Sequence, residues 1–405
     1  MKISQNAPVV KTIGWFALSL IGSVLVACGG GGGSSNDFGA AAGMGTLRLA
    51  MTDAPACGYD HVYVTVNKIR VSQSSGDTGW HDLPIAPQRI DLLNLTNGVL
   101  AELGSFTLPA GSYQQIRLVL ADNTLANAVV LSDTTTEIPL TTPSAQQSGL
   151  KLQAHFEVPD GQMADMVLDF DACKSIVKAG KSGNYNLKPV VAVIKRLVTG
   201  ITGYVDVNLL VNDIVVSTRD PDGNLRATVP DSFGKFTLAY LPENTNYTVV
   251  VTGRDLTTAA VTGVPVTLAS GTTQINSGLE PIRPDRSATA TITGVVADAS
   301  SPPNLILDAN VNAKQTLSSG EVLDVNWQLV DPVTAVYSMN LPLAAPVKAP
   351  YVSPGSLVFT ADSLSGRYHI LASATGYITQ ITDPHLTLTS ADADTTTTKD
   401  LTLAP

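Results

Sequence analysis

The chain has 405 residues, of which 44% are hydrophobic, 14% charged and only 5% aromatic. At that length it should hold more than one domain. It is too apolar and too weakly charged for a disordered chain, and it lacks the Glu, Lys and Leu heptads of a coiled coil. A formal charge of −10 argues against a nucleic-acid partner, which needs a basic face. Abundant Val, Thr and Gly, with little Glu and Lys, favour an all-β fold.

Lys2 and Lys11 are the only charges before Cys28, and residues 13–27 are apolar or small. That run is short for a membrane-spanning helix and has the pattern of an export signal. Leu25-Val26-Ala27-Cys28 resembles the lipobox of bacterial lipoproteins. The resemblance implies cleavage after Ala27 and a lipid-bearing Cys28 carrying acyl chains such as palmitate, each buried CH₂ adding about 0.8 kcal/mol of membrane affinity. Residues 29–33 are all glycine, followed by Ser34-Ser35-Asn36, a flexible tether. In lipoproteins an Asp after the lipidated Cys often marks inner-membrane retention. Gly29 stands there, so the resemblance implies an outer-membrane, lipid-anchored protein, on either face of that membrane.

With Cys28 lipidated, Cys57 and Cys173 remain in an oxidising compartment, where a disulfide between them is expected. Neither sits in a CxxC or beside a histidine pair at metal-ligand spacing.

The first β segment covers residues 46–197. Val62, Val64 and Val66 alternate with Tyr63, Thr65 and Asn67, a half-buried strand. Further strands are predicted over residues 46–52, 113–120, 150–158, 166–170 and 187–194, with a short helix over 95–103. Met51-Thr52-Asp53-Ala54-Pro55, Ile90-Asp91-Leu92-Leu93, Leu108-Pro109-Ala110-Gly111-Ser112-Tyr113, Leu168-Asp169-Phe170-Asp171 and Tyr185-Asn186-Leu187-Lys188-Pro189-Val190 occur in order along it. In these the segment resembles the DUF4382 family of exported prokaryotic proteins, whose molecular role is not established.

The second segment, residues 198–284, opens with Ile201-Thr202-Gly203-Tyr204-Val205 and continues through an Asp220-Pro221-Asp222-Gly223-Asn224 hairpin turn, Gly234-Lys235-Phe236 and Tyr247-Thr248-Val249. This order resembles the carboxypeptidase-regulatory, transthyretin-like β-sandwich. The third, residues 287–405, echoes it. Ile292-Thr293-Gly294-Val295 matches the opening, and Gly366-Arg367-Tyr368 is paired with Gly234-Lys235-Phe236. Unequal offsets place an insertion within residues 315–358. The expected architecture is therefore all-β: a signal peptide (1–27), a lipidated Cys and tether (28–45), and three serial β-sandwich-type domains, the last expected to fold alone.

Chemistry is sparse. The five histidines form no HxH or HExxH spacing, and no G-x-S-x-G elbow is present. Asp53, Asp169 and Asp171 are the candidates for a cation site. Asp169 and Asp171 share one face of a predicted strand, and a Cys57–Cys173 bridge would bring Asp53 to them. Alternatively Asp53 caps a turn and the others accept backbone N–H bonds. Trp327, Tyr337 and Tyr351 could form a sugar platform, or fill a core. The reading is a non-catalytic envelope lipoprotein with a binding, adhesion or scaffolding role, without a cofactor, held to the membrane by its lipid and meeting an envelope protein or glycan. The alternatives are a carbohydrate-binding envelope protein and an enzyme or metal-binding protein with an unrecognised site.

Overall fold

The computed structural model describes residues 43–405 apart from 55–58, 77–78, 143–148, 180–181, 354 and 383–384. The expected signal peptide, Cys28 and nearly all of the expected tether lie outside the described residues. The described chain is almost wholly strand and loop, and residues 42–405 form one compact unit.

One connectivity is used three times. Each body opens with a strand: Met44–Ala54, Gly200–Tyr204 and Thr289–Asp298. On one side it pairs antiparallel with a strand that leads into a Leu-Pro step: Ala101–Pro109, Lys235–Ala239 and Val336–Pro342. On the other side it pairs parallel with a closing strand: Met163–Asp171, Thr272–Gln274 and Thr396–Thr398. The second sheet of each body sets a strand (Tyr59–Ser72, Val215–Arg219, Asn310–Thr316) antiparallel to a tyrosine-bearing strand (Gly111–Leu120, Thr245–Thr252, Arg367–Ser373).

The tyrosine on that last strand does the same thing each time. The hydroxyl of Tyr113 donates to the Pro109 carbonyl at 2.9 Å, that of Tyr247 to Pro242 at 2.7 Å, and that of Tyr368 to Pro342 at 2.5 Å. Each proline follows a buried leucine: Leu108 is 4% exposed, and Leu241 and Leu341 are fully buried. Each tyrosine ring is buried, so its hydroxyl needs a partner, and the turning chain supplies a carbonyl freed from its ladder. This is the geometry of a tyrosine corner.

The corner corrects the sequence-level pairing of repeats. Tyr368 is the counterpart of Tyr247, not of Phe236; the strand equivalent to Lys235–Ala239 is Val336–Pro342. The insertion therefore lies between Pro342 and Arg367. Part of it leaves its own body. Val347–Pro350 pairs parallel with Ala259–Val266 of the second body, and Thr360–Ala361 pairs with it in turn. Tyr351, Leu357 and Phe359 pack against the second core, while Val250 and Ala260 of the second body belong to the third core.

Local pattern explains most strands. Val62, Val64 and Val66 are fully buried as their alternation requires. A bulge between Val66 and Lys68 adds one residue, which resets the phase so that Ile69 and Val71 also face the core. The helix expected over 95–103 is absent. A short 3-10 turn, Leu92–Leu95, ends before Asn97 and Gly98, whose φ angles of 59° and 76° break helical continuation. The strand expected over 187–194 is split at Lys188-Pro189, since proline has no N–H for a ladder.

The disulfide expectation is also corrected. The structure carries no disulfide among its described residues; Cys57 and the side chain of Cys173 lie outside them. The strands that the bridge was expected to join are held instead by a nine-pair parallel ladder from Thr46–Met163 to Ala54–Asp171.

Ala349 on the crossing strand is fully buried. Ala349→Asp should destabilise the second body by more than about 3 kcal/mol, because the carboxylate would have no partner there. Urea unfolding checks this, and a change below about 1 kcal/mol would show that the crossing strand is dispensable.

Candidate functional site

The parallel ladder sets Asp53 beside Phe170 and Thr52 beside Asp169, so Asp53 is one residue out of step with Asp169 and Asp171. Side chains alternate along a strand; Asp53 and Asp169 both border one small cavity, while Asp171 does not. Each has its own partner. Asp171 caps the short helix Ala172–Ser175 by accepting from the Lys174 amide, and its Oδ2 lies 2.5 Å from Lys174 Nζ. Asp169 Oδ2 meets Arg226 Nη1 of the second body at 2.9 Å. Asp53 Oδ1 accepts from the Ala172 amide at 3.0 Å. Among the described residues no group of three or more His, Cys, Asp and Glu is placed to hold a metal ion. The cation site considered from sequence is thus replaced by protein cations and backbone amides.

Arg226 is the centre of this junction. Its Nη2 reaches Asp220 Oδ2 at 3.0 Å, and its side chain is 8% exposed. Asp220 is held in turn by the backbone amides of Asp222 and Asn224, the hairpin turn expected from sequence. Asn97, beside it, accepts from the Thr237 amide at 2.8 Å and donates to the Val229 carbonyl at 2.9 Å. Tyr240 donates to the Gly98 carbonyl at 2.6 Å. These contacts stitch the first body to the second around a cavity of about 30 Å³, about the volume of one water in the liquid.

Two buried atoms at this cavity lack a hydrogen-bond partner among the described residues: Asp53 Oδ2 and Arg226 Nε. Burial pushes the Asp53 carboxyl well above the usual carboxylate range, and repulsion from Asp171 adds to it, against the Ala172 hydrogen bond. Burial also raises Asp169, opposed by Arg226. Burial thus works against charge on both carboxyls, and Arg226 offsets that cost for Asp169 but not for Asp53. Arg226, Asn97 and Tyr240 were not legible in the sequence because Asp169, Thr237 with Val229, and Gly98, which they respectively meet, belong to another body.

The three aromatic candidates separate. Tyr337 lies in the third core, 1% exposed, with its hydroxyl on the Lys399 carbonyl at 2.5 Å. Tyr351 packs on the second core. Trp327 alone reaches an open cleft, of about 350 Å³, formed by residues of the second and third bodies. The sugar platform expected from the three together is not assembled, since two of the rings fill cores.

Arg226→Ala should cost about 3–5 kcal/mol, by leaving Asp169 and Asp220 without their cation. Denaturant unfolding checks it, and a loss below about 1 kcal/mol would place little weight on the pair. Asp53 holds its proton more tightly folded than unfolded, so its contribution is fully present below the unfolded carboxylate range. That contribution is lost as pH rises through the raised folded value. Asp53→Asn should therefore flatten the stability profile between acidic and neutral pH and gain relative to wild type as pH rises. Parallel profiles for the two proteins would contradict a protonated Asp53.

Residues 44–189 match the family model described as Domain of unknown function (DUF4382). No curated protein matches the chain. Among solved structures, the Bacillus anthracis TIE protein is 12% identical at a TM-score of 0.18, over 90% of this chain and 51% of that one. The chain thus spans about half the length of that protein. BcpA, the major pilin subunit of Bacillus cereus, is 10% identical at a TM-score of 0.19, over 89% of this chain and 99% of that one. The shaft pilin SpaA from Lactobacillus rhamnosus GG is 11% identical at a TM-score of 0.16, over 51% of this chain and 96% of that one. Likenesses this weak carry no weight for fold or function.

Proposed function

We propose that this chain is a non-catalytic binding or scaffolding protein of the cell envelope, carried on a lipid at Cys28 and built from transthyretin-like sandwiches behind a DUF4382-type body. The observation that carries the reading is where its polar side chains go. Arg226, Asp169 and Asp220 join the first two bodies, and Arg219 meets Asp324 through two bonds of 2.6 Å to join the second and third. Lys188 of the first body donates to the Leu307 carbonyl of the third at 2.7 Å. Groups suited to acid–base chemistry are engaged in holding three bodies together, which is what a load-bearing or ligand-presenting protein needs. The repeated tyrosine corner supports kinship of the second and third bodies with sandwich modules. Outer-membrane attachment is supported by the lipobox and by Gly29 after Cys28.

A second reading, carbohydrate binding, is favoured by the position of Trp327 on the cleft between the second and third bodies.

Cys28→Ser tests the anchor. Wild-type protein should stay with washed membranes and be released by detergent, while the variant should be recovered soluble after export. A variant that remains with washed membranes would overturn the lipid-anchored reading.

A further inference from the structure

We infer that the cleft between the second and third bodies binds a short neutral saccharide, of one or two rings. The inference rests on the carbohydrate-binding reading and assigns it a site. The cleft volume of about 350 Å³ falls in the range of ligand clefts, roughly 300–1,000 Å³. It equals roughly a dozen water molecules at about 30 Å³ each, which fits one or two pyranose rings and not a longer chain.

Its lining has the chemistry that a sugar ring uses. A pyranose has an apolar face of C–H groups and a rim of hydroxyls that donate and accept. Trp327 supplies a flat apolar wall, and Asn326 beside it supplies a carboxamide that both donates and accepts. Arg254 also borders the cleft, its Nε donating to Asp213 Oδ2 at 2.9 Å and its Nη2 to the Val211 carbonyl at 2.8 Å. Asp213 and Asp255 bring acceptors. Thr258, only 1% exposed, also borders the cleft, and its hydroxyl has no hydrogen-bond partner among the described residues. A buried hydroxyl left in that state costs free energy that a bound polar group would offset.

Charge selects the class of sugar. Within the lining one guanidinium faces two carboxylates, and the ammonium of Lys174 beside the Trp327 ring is already paired with Asp171, so the surroundings are net negative and disfavour uronic or sialic acids. Because the walls come from two bodies, a bound saccharide would also bridge them.

The test is a titration of the full chain with glucose, galactose, N-acetylglucosamine, cellobiose, lactose and chitobiose, with glucuronic acid as the acidic control. Calorimetry or saturation-transfer NMR gives the readout. At least one neutral sugar should saturate the protein, and glucuronic acid should bind more weakly. Trp327→Ala and Asn326→Ala should each weaken binding about tenfold. Lys174 Nζ stands 5.2 Å from the Trp327 ring centroid, so Trp327→Ala could loosen the fold; Asn326→Ala, checked for an unchanged melting temperature, keeps the test decisive. Tyr351→Phe, on the second core, should bind as wild type. A flat titration with every neutral sugar, or equal binding of glucuronic acid, overturns the proposal. Saturable binding that neither cleft variant changes also overturns this site, while leaving the carbohydrate reading standing elsewhere on the chain. Hydrolysis of a disaccharide during the titration would instead overturn the non-catalytic reading.

Discussion

The guanidinium of Arg226 lies between Asp169 of the first body and Asp220 of the second, nearly out of solvent, and the way the first two bodies meet depends on it. Burying three charges costs several kcal/mol per ion, and pairing offsets this only in good geometry. Such a cluster adds little net stability over an apolar contact of the same size. Its effect is on placement, because any slip of one body on the other leaves a charge buried and unpaired. Asp53 fits the same logic. With Arg226 already committed to two carboxylates, a third charge nearby has no cation, and burial with the neighbouring Asp171 pushes the Asp53 carboxyl well above the usual range.

The junction of the second and third bodies is built differently. Val250 and Ala260 enter the third core, and the insertion returns Val347–Pro350 to the edge of the second sheet. That return covers a strand edge that would otherwise present free N–H and C=O groups. It also means that a cut at residue 287 separates strands that pair in the folded chain. The Arg219–Asp324 bridge, with Asp324 3% exposed, adds a polar fix to this apolar contact. The cleft at Trp327 is bordered by both bodies, so its width depends on how they are held.

Much of the fold was legible in the sequence where the determinants are local. Val62, Val64 and Val66 give their strand by alternation, and Asp220 to Asn224 give their hairpin by turn chemistry. The Leu-Pro steps and tyrosines were visible as motifs in the first body, yet their recurrence was hidden in the third. There the chain between Pro342 and Tyr368 is lengthened by the insertion, and so Gly366 was aligned with Gly234 by local similarity. The cation site failed for a related reason. Asp169 and Asp171 share one strand, and Lys174, three residues beyond Asp171, is a local partner; Arg226, the cation on Asp169, comes from another body and could be assigned only from three-dimensional neighbours. Trp327, Tyr337 and Tyr351 share a stretch of sequence, and nothing local says that the chain crosses to another body between Tyr337 and Tyr351.

Three β bodies of one connectivity are thus fastened into a single cooperative structure. Differential scanning calorimetry of the purified chain reads that cooperativity. One transition is expected, with calorimetric and van't Hoff enthalpies that agree, because no body can unfold without exposing charges or strand edges of its neighbour. Two or three resolved transitions, or a calorimetric enthalpy several times the van't Hoff value, would contradict it and leave three bodies that are merely strung together.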